Sequence, residues 1–98
     1  MKRDWSEARA KVDAEGRCRV CGWGEGLVKL EAAHVISRAQ GGTDDPRGIV
    51  PLCWECHRAF DARRLDLLPF LMNDEQAYAV SLVGIVSAYR RLTGERDV

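Results

Sequence analysis

The 98-residue chain has no apolar run approaching the roughly 20 residues that a helix needs to cross a bilayer. Its opening stretch, Met1-Lys2-Arg3-Asp4-Trp5-Ser6-Glu7-Ala8-Arg9, is charged throughout and lacks the apolar core of a secretory signal, so the expected setting is intracellular and cytoplasmic. A charge of one sign is missing too. Fifteen basic and fifteen acidic residues cancel, leaving no long-range field to draw the molecule to nucleic acid, so any such contact has to be made by a local patch. Histidine is scarce at two residues, asparagine is represented only by Asn73, and neither an internal repeat nor a low-complexity segment is present. Outside two short motifs there is no cysteine at all.

Those motifs, Cys18-Arg19-Val20-Cys21 and Cys53-Trp54-Glu55-Cys56, enclose His34, and His57 follows the second directly. Four thiolates in two knuckles suit a closed tetrahedral zinc shell, and paired CxxC motifs in an intracellular chain point to metal before disulfide. Two short disulfides, or a thiol redox pair with a reactive, metal-free knuckle, are the competing readings. A chain of this length forms one domain, 1–98, near the lower limit for an adequate core, where a metal staple replaces missing hydrophobic area.

Trp5 to Glu15 reads as a first helix, with Trp5, Ala8 and Val12 at helical spacing and Gly16 as its stop. After a glycine-rich turn, Gly22 to Gly26, the run Leu27 to Ile36 suits two short strands or one bent strand, with His34 near its end. Ser37 to Gly48 is a long polar loop, and Ile49-Val50-Pro51-Leu52 returns as a strand into the second knuckle. A helix is expected from Trp54 to about Arg64, then a turn capped by Asp66. One long final helix is expected from Asn73 or Asp74 to about Thr93, burying Tyr78, Leu82, Ile85, Val86, Tyr89 and Leu92. Trp23 and Trp54 read as hydrophobic cover for the zinc site.

Taken together, Cys18xxCys21, Ala32-Ala33-His34-Val35-Ile36-Ser37-Arg38, Gly41-Gly42 and Val50-Pro51-Leu52-Cys53xxCys56-His57, with Asp61 four residues further on, resemble the HNH endonuclease family over about 17–64. The likeness is greatest to small HNH proteins of bacteriophages and prophages. It implies an α+β fold of the ββα-metal, treble-clef-like type, stapled by structural zinc at Cys18, Cys21, Cys53 and Cys56. Around that core stand an N-terminal helix and a helical extension over about 66–94. The implied activity is metal-dependent hydrolysis of DNA phosphodiester bonds, by nicking or cutting with low intrinsic sequence specificity. The implied setting is a phage or prophage in its bacterial host, with the genome-packaging terminase or another targeting protein as partner.

By the same resemblance His34 is the general base, a task that its near-neutral imidazole suits. His57 and Asp61 lie four apart on the expected helix, hence on one face, and form a ligand pair for a catalytic divalent ion: magnesium, manganese, nickel or zinc. Arg38 offers a planar fork of donors for phosphate, and Arg58, Arg63 and Arg64 are further nucleic-acid-binding candidates. Gly41 and Gly42 would allow close approach of the nucleic-acid backbone. Two family positions differ. Ala33 stands where many members carry an aspartate or histidine ligand, and Arg47-Gly48 occupies the region of the motif asparagine. A catalytically inactive zinc module that binds nucleic acid or a protein is therefore the alternative, although a bare scaffold would need none of His34, His57 and Asp61.

Overall fold

In the computed structural model, which describes residues 5–24 and 26–94, the elements run α1 (Ser6–Glu15), β1 (Leu30–His34), β2 (Ile49–Cys53), α2 (Trp54–Asp61), α3 (Asn73–Val83) and α4 (Ile85–Thr93). The opening charged residues 1–4 and Glu25 in the glycine-rich turn, both used in the sequence reading, lie outside the described residues. The class is α+β, as expected. Among the described residues a two-stranded antiparallel sheet is covered by four helices.

Strands β1 and β2 pair from Leu30 opposite Cys53 to His34 opposite Ile49, so the end of β1 lies beside the start of β2. The run expected as two strands or one bent strand gives a single strand, and Val35 and Ile36 are buried just beyond it. All five residues of β2 are buried. Pro51 is tolerated there because both strands of a two-stranded sheet are edges, and its carbonyl accepts from the Arg19 amide at 2.8 Å. Helix α1 buries Ala8 and Val12 against the core and ends at Gly16, which takes the left-handed φ of 66° that helix termination favours.

Three expectations need correction. The final helix is two helices: Gly84 has φ 85° and ψ 162°, a region open essentially to glycine alone, and α3 ends there while α4 begins. The break turns Ala88 and Leu92 toward the core and leaves Ile85, Val86 and Tyr89 exposed, so half of the expected buried stripe lies on the surface. Helix α2 stops at Asp61, since Arg63 adopts φ 60° and takes the chain out of the helix before Arg64. Neither Asn73 nor Asp74 caps α3; Glu75 reaches back to accept from the Met72 amide at 2.7 Å. Asp66 does cap its turn, accepting from the Leu68 amide at 3.0 Å.

One buried ionic cluster ties the pieces together. Glu75, 1% exposed, accepts from Arg19 at 2.6 Å and from Lys11 at 2.6 Å, while Arg19 also pairs with Glu15. Arg19 lies inside the first CxxC motif, so this cluster fastens that knuckle to α1 and α3 at once. Buried charges persist only when paired and hydrogen-bonded, and here every partner is in place.

Candidate functional site

Two groups of chemistry-bearing side chains lie at separate cavities, and α2 contributes to both. The first is the cysteine group. The Cys18 amide donates to the Trp23 carbonyl at 2.9 Å and the Gly22 amide to the Cys18 carbonyl at 3.0 Å, folding the first knuckle into a tight turn. Cys53 ends β2 and Cys56 sits in the first turn of α2, so the second knuckle is a strand-to-helix junction. Sγ atoms of all four lie within 4.8 Å of one another, with Cys21 and Cys53 at 3.7 Å, and no disulfide joins them. Thiolates at zinc's bond length in a tetrahedral shell stand about 3.8 Å apart, so the residues present fit that ion.

The thiols differ in acidity. Burial opposes ionisation of Cys18, yet backbone amides of Cys53, Cys21 and Val20 donate to its sulfur and bring it down to about 7. Burial and the neighbouring sulfurs push Cys21 and Cys56 up. The Cys18 thiolate therefore forms readily, whereas Cys21 and Cys56 favour ionisation only with a cation beside them, the electrostatics of a metal-binding set. Trp23 and Trp54 flank the group beside a surface groove of about 580 Å³ lined also by Leu27 and Val28, each indole remaining more than half exposed.

The second group lines a polar cleft of about 300 Å³: His34, Ser37, Arg38, His57, Asp61 and Arg91. His34, the last residue of β1, contacts Asp44 Oδ1 through Nε2 at 2.9 Å, and Arg38 reaches the same oxygen at 3.0 Å. A carboxylate only accepts, so Nε2 of the imidazole is the donor in this pairing. Trp5 packs edge-on against the ring at a centroid distance of 5.3 Å.

His57 is oriented in the same manner from the other side. Its Nδ1 meets Glu31 Oε1 at 2.8 Å, which turns Nε2 toward Asp61 Oδ2 at 3.5 Å. With Nδ1 carrying the proton, two electron-rich atoms face each other and need a cation or a further proton between them. Ligands at the bond lengths usual for divalent ions are about 3.0–3.4 Å apart, so the pair fits such an ion. The other oxygen of Asp61, Oδ1, accepts from Arg91 at 2.9 Å.

The loop that carries Asp44 is braced by its own backbone. The Gly42 amide donates to the Ser37 carbonyl at 2.8 Å, and a Cβ on Gly42 would stand 1.8 Å from the Ile36 carbonyl oxygen. Gly42 thus serves the closure of the loop on itself, whereas Gly41 at φ 106° has open space around it. Thr43 and Tyr78 share a hydrogen bond at 2.6 Å, and Gly48 lies so close to the Tyr78 ring that a Cβ there would stand 3.1 Å away. The region without the motif asparagine is thereby held by α3.

The family model for HNH endonuclease matches residues 18–63. Among curated proteins and among solved structures, nothing matches the chain. The HNH segment contains all four cysteines and His34, Arg38, His57 and Asp61, and such a match supports nuclease-type chemistry. Arg58, Arg63 and Arg64 do not line the cleft; Arg58 stacks on Trp54 at 4.8 Å, on the cysteine side.

Sequence reasoning missed the residues that orient the motif: Glu31, Asp44 and Arg91. Glu31 and Asp44 carried a weak signal as carboxylates close to the histidine of the motif. Arg91, outside the HNH segment, carried none. No helix of the described residues is long and apolar enough to cross a membrane.

Proposed function

We propose that the chain is a metal-dependent HNH endonuclease that hydrolyses phosphodiester bonds of DNA, built on a ββα-metal core with zinc held by Cys18, Cys21, Cys53 and Cys56. The observation that carries this reading is the convergence of His34, Arg38, His57 and Asp61 on one polar cleft inside the HNH segment. His34, oriented through Nε2 by Asp44, takes the proton of the attacking water. Arg38 holds a phosphate oxygen with its fork of donors, exchanging part of its contact with Asp44 for the substrate. His57 and Asp61 would hold the divalent ion, which when bound supplies charge neutralisation at the phosphate and the leaving oxygen. Glu31 keeps His57 in the ligating tautomer.

Low sequence preference is part of the proposal, since the cleft's groups are assigned to phosphate, water and metal, contacts that carry no sequence information. A chain without net charge gains little from long-range attraction, which favours delivery by a partner. By the resemblance of its motifs, the proposed setting is a phage or prophage, with a terminase or another targeting protein bringing this single domain to DNA in the bacterial cytoplasm.

The test is cleavage of supercoiled plasmid by protein stripped of exchangeable metal, with magnesium, manganese, nickel and zinc returned in turn. At least one ion should restore nicking, and His34→Ala should lower the rate by about a hundredfold or more. Zinc content and melting temperature of that variant should match the parent. Folded, zinc-loaded protein that leaves the plasmid intact with every ion would overturn the nuclease reading and favour the inactive binding module.

A further inference from the structure

Arg91 lies near the end of α4, well beyond the HNH segment, yet its side chain, 11% exposed, enters the cleft beside His34, Arg38, His57 and Asp61. Three contacts fix it. The guanidinium carbon stands 4.1 Å from the centre of the Phe60 ring, Nε donates to the Val35 carbonyl at 3.4 Å, and Nη2 donates to Asp61 Oδ1 at 2.9 Å. Among the described residues Nη1 makes no hydrogen bond; the side chain lines the cleft with the polar residues named above, and also a second cavity with Ile36, Gln40, Val83 and Ser87. A guanidinium held along one edge, stacked on an aromatic face and left with unused donors in a cleft is pre-organised for a planar, doubly accepting anion. A residue whose only task was to neutralise Asp61 would not need to be buried in the cleft.

We propose that Arg91 is a phosphate-binding residue of the nuclease site, supplied by the C-terminal helical extension: Nη1 takes a non-bridging oxygen of the DNA backbone while Nη2 keeps Asp61 turned toward His57. The inference rests on the nuclease reading for its substrate, although the phosphate contact itself requires only that DNA enter the cleft. It gives the extension a task beyond packing. The docking of Ala88 and Leu92 into the core then sets the position of a substrate-binding group.

The experiment measures binding of a fluorescent duplex oligonucleotide without added divalent ion across a range of salt concentrations, for the parent, R91Q, R91K, D61N and the double variant R91Q/D61N. Losing one phosphate contact lowers the slope of log affinity against log salt by about 1. R91Q should show that loss, with affinity at moderate salt down by about tenfold. The double variant separates two causes, because it removes both charges of the Arg91 and Asp61 pair. If its slope is also about 1 below that of D61N, Arg91 contacts phosphate. A slope equal to that of D61N means that the effect passes through the exposed Asp61 charge, and the proposal fails.

R91K keeps the charge and loses the fork, so it should retain the slope while plasmid cleavage stays down by about tenfold or more. Should R91Q fail to fold, R91K decides: cleavage equal to the parent overturns the proposal. DNA binding with an Arg91-dependent slope but no cleavage by any protein would sink the nuclease reading and leave the phosphate contact standing. Cleavage by the parent with no change in slope for R91Q would do the reverse.

Discussion

Carboxylates orient both imidazoles of the cleft, but they take different ring nitrogens. Asp44 takes Nε2 of His34, while Glu31 takes Nδ1 of His57. The same residue type is thus oriented in two ways by which ring atom its neighbour occupies. Outer partners of this sort typically change metal affinity or activity by about 10- to 100-fold. Glu31→Gln should accordingly raise the manganese concentration needed for half-maximal cleavage by about tenfold, while Asp61→Ala, which removes a proposed ligand, should raise it further. Melting temperatures should stay near the parent, because both carboxylates are partly solvent-exposed. Cleavage that follows the parent at every metal concentration in both variants would remove His57 and Asp61 from the metal site.

Two glycines decide how the elements meet. Gly42 lets the loop after β1 close on the Ile36 carbonyl and so carry Asp44 back to His34. Gly84 separates α3 from α4 at φ 85° with nothing near its Cβ position, so the cost of any side chain there is confined to the backbone. Gly84→Ala should destabilise the fold by about 1–3 kcal/mol, measured as a lower urea midpoint with an unchanged slope. A midpoint equal to that of the parent would mean that the two helices can fuse into the single helix the apolar spacing suggests. In that event Arg91 would be carried away from Asp61, and DNA binding should weaken in the same variant.

The whole molecule is fastened by buried charge. Burial alone would push the Glu75 carboxyl up, but donors from Arg19 and Lys11 and the Met72 amide outweigh it and hold the group below its ordinary 4.5. A carboxyl depressed in the folded state adds stability above its ordinary value, and that stability is lost as the pH falls through the folded value. Glu75→Gln should therefore cost about 3 kcal/mol near pH 7, and the gap between variant and parent should narrow below about pH 4.5. Acid release of any metal the cysteines hold affects both proteins alike, so thermal melts of the pair at each pH isolate the carboxyl. A gap constant from pH 7 to pH 3 would show that Glu75 acts through packing alone.

Much of this was written in local pattern. The two CxxC pairs, His34 at a strand end, and His57 and Asp61 one helical turn apart are short-range relations that spacing alone specifies, and α1 and β2 follow from apolar periodicity with a stop signal beside it. The tertiary structure decided the rest. Whether Val83-Gly84-Ile85 bends depends on what the core accepts on each side, so the spacing of apolar residues read the same for one helix or two. Glu31, Asp44 and Arg91 became site residues because the hairpin register, the loop closure and the docking of α4 bring charges distant in sequence within hydrogen-bond reach. Hydrogen bonds act over about 3 Å, and only the folded chain sets which groups lie that close.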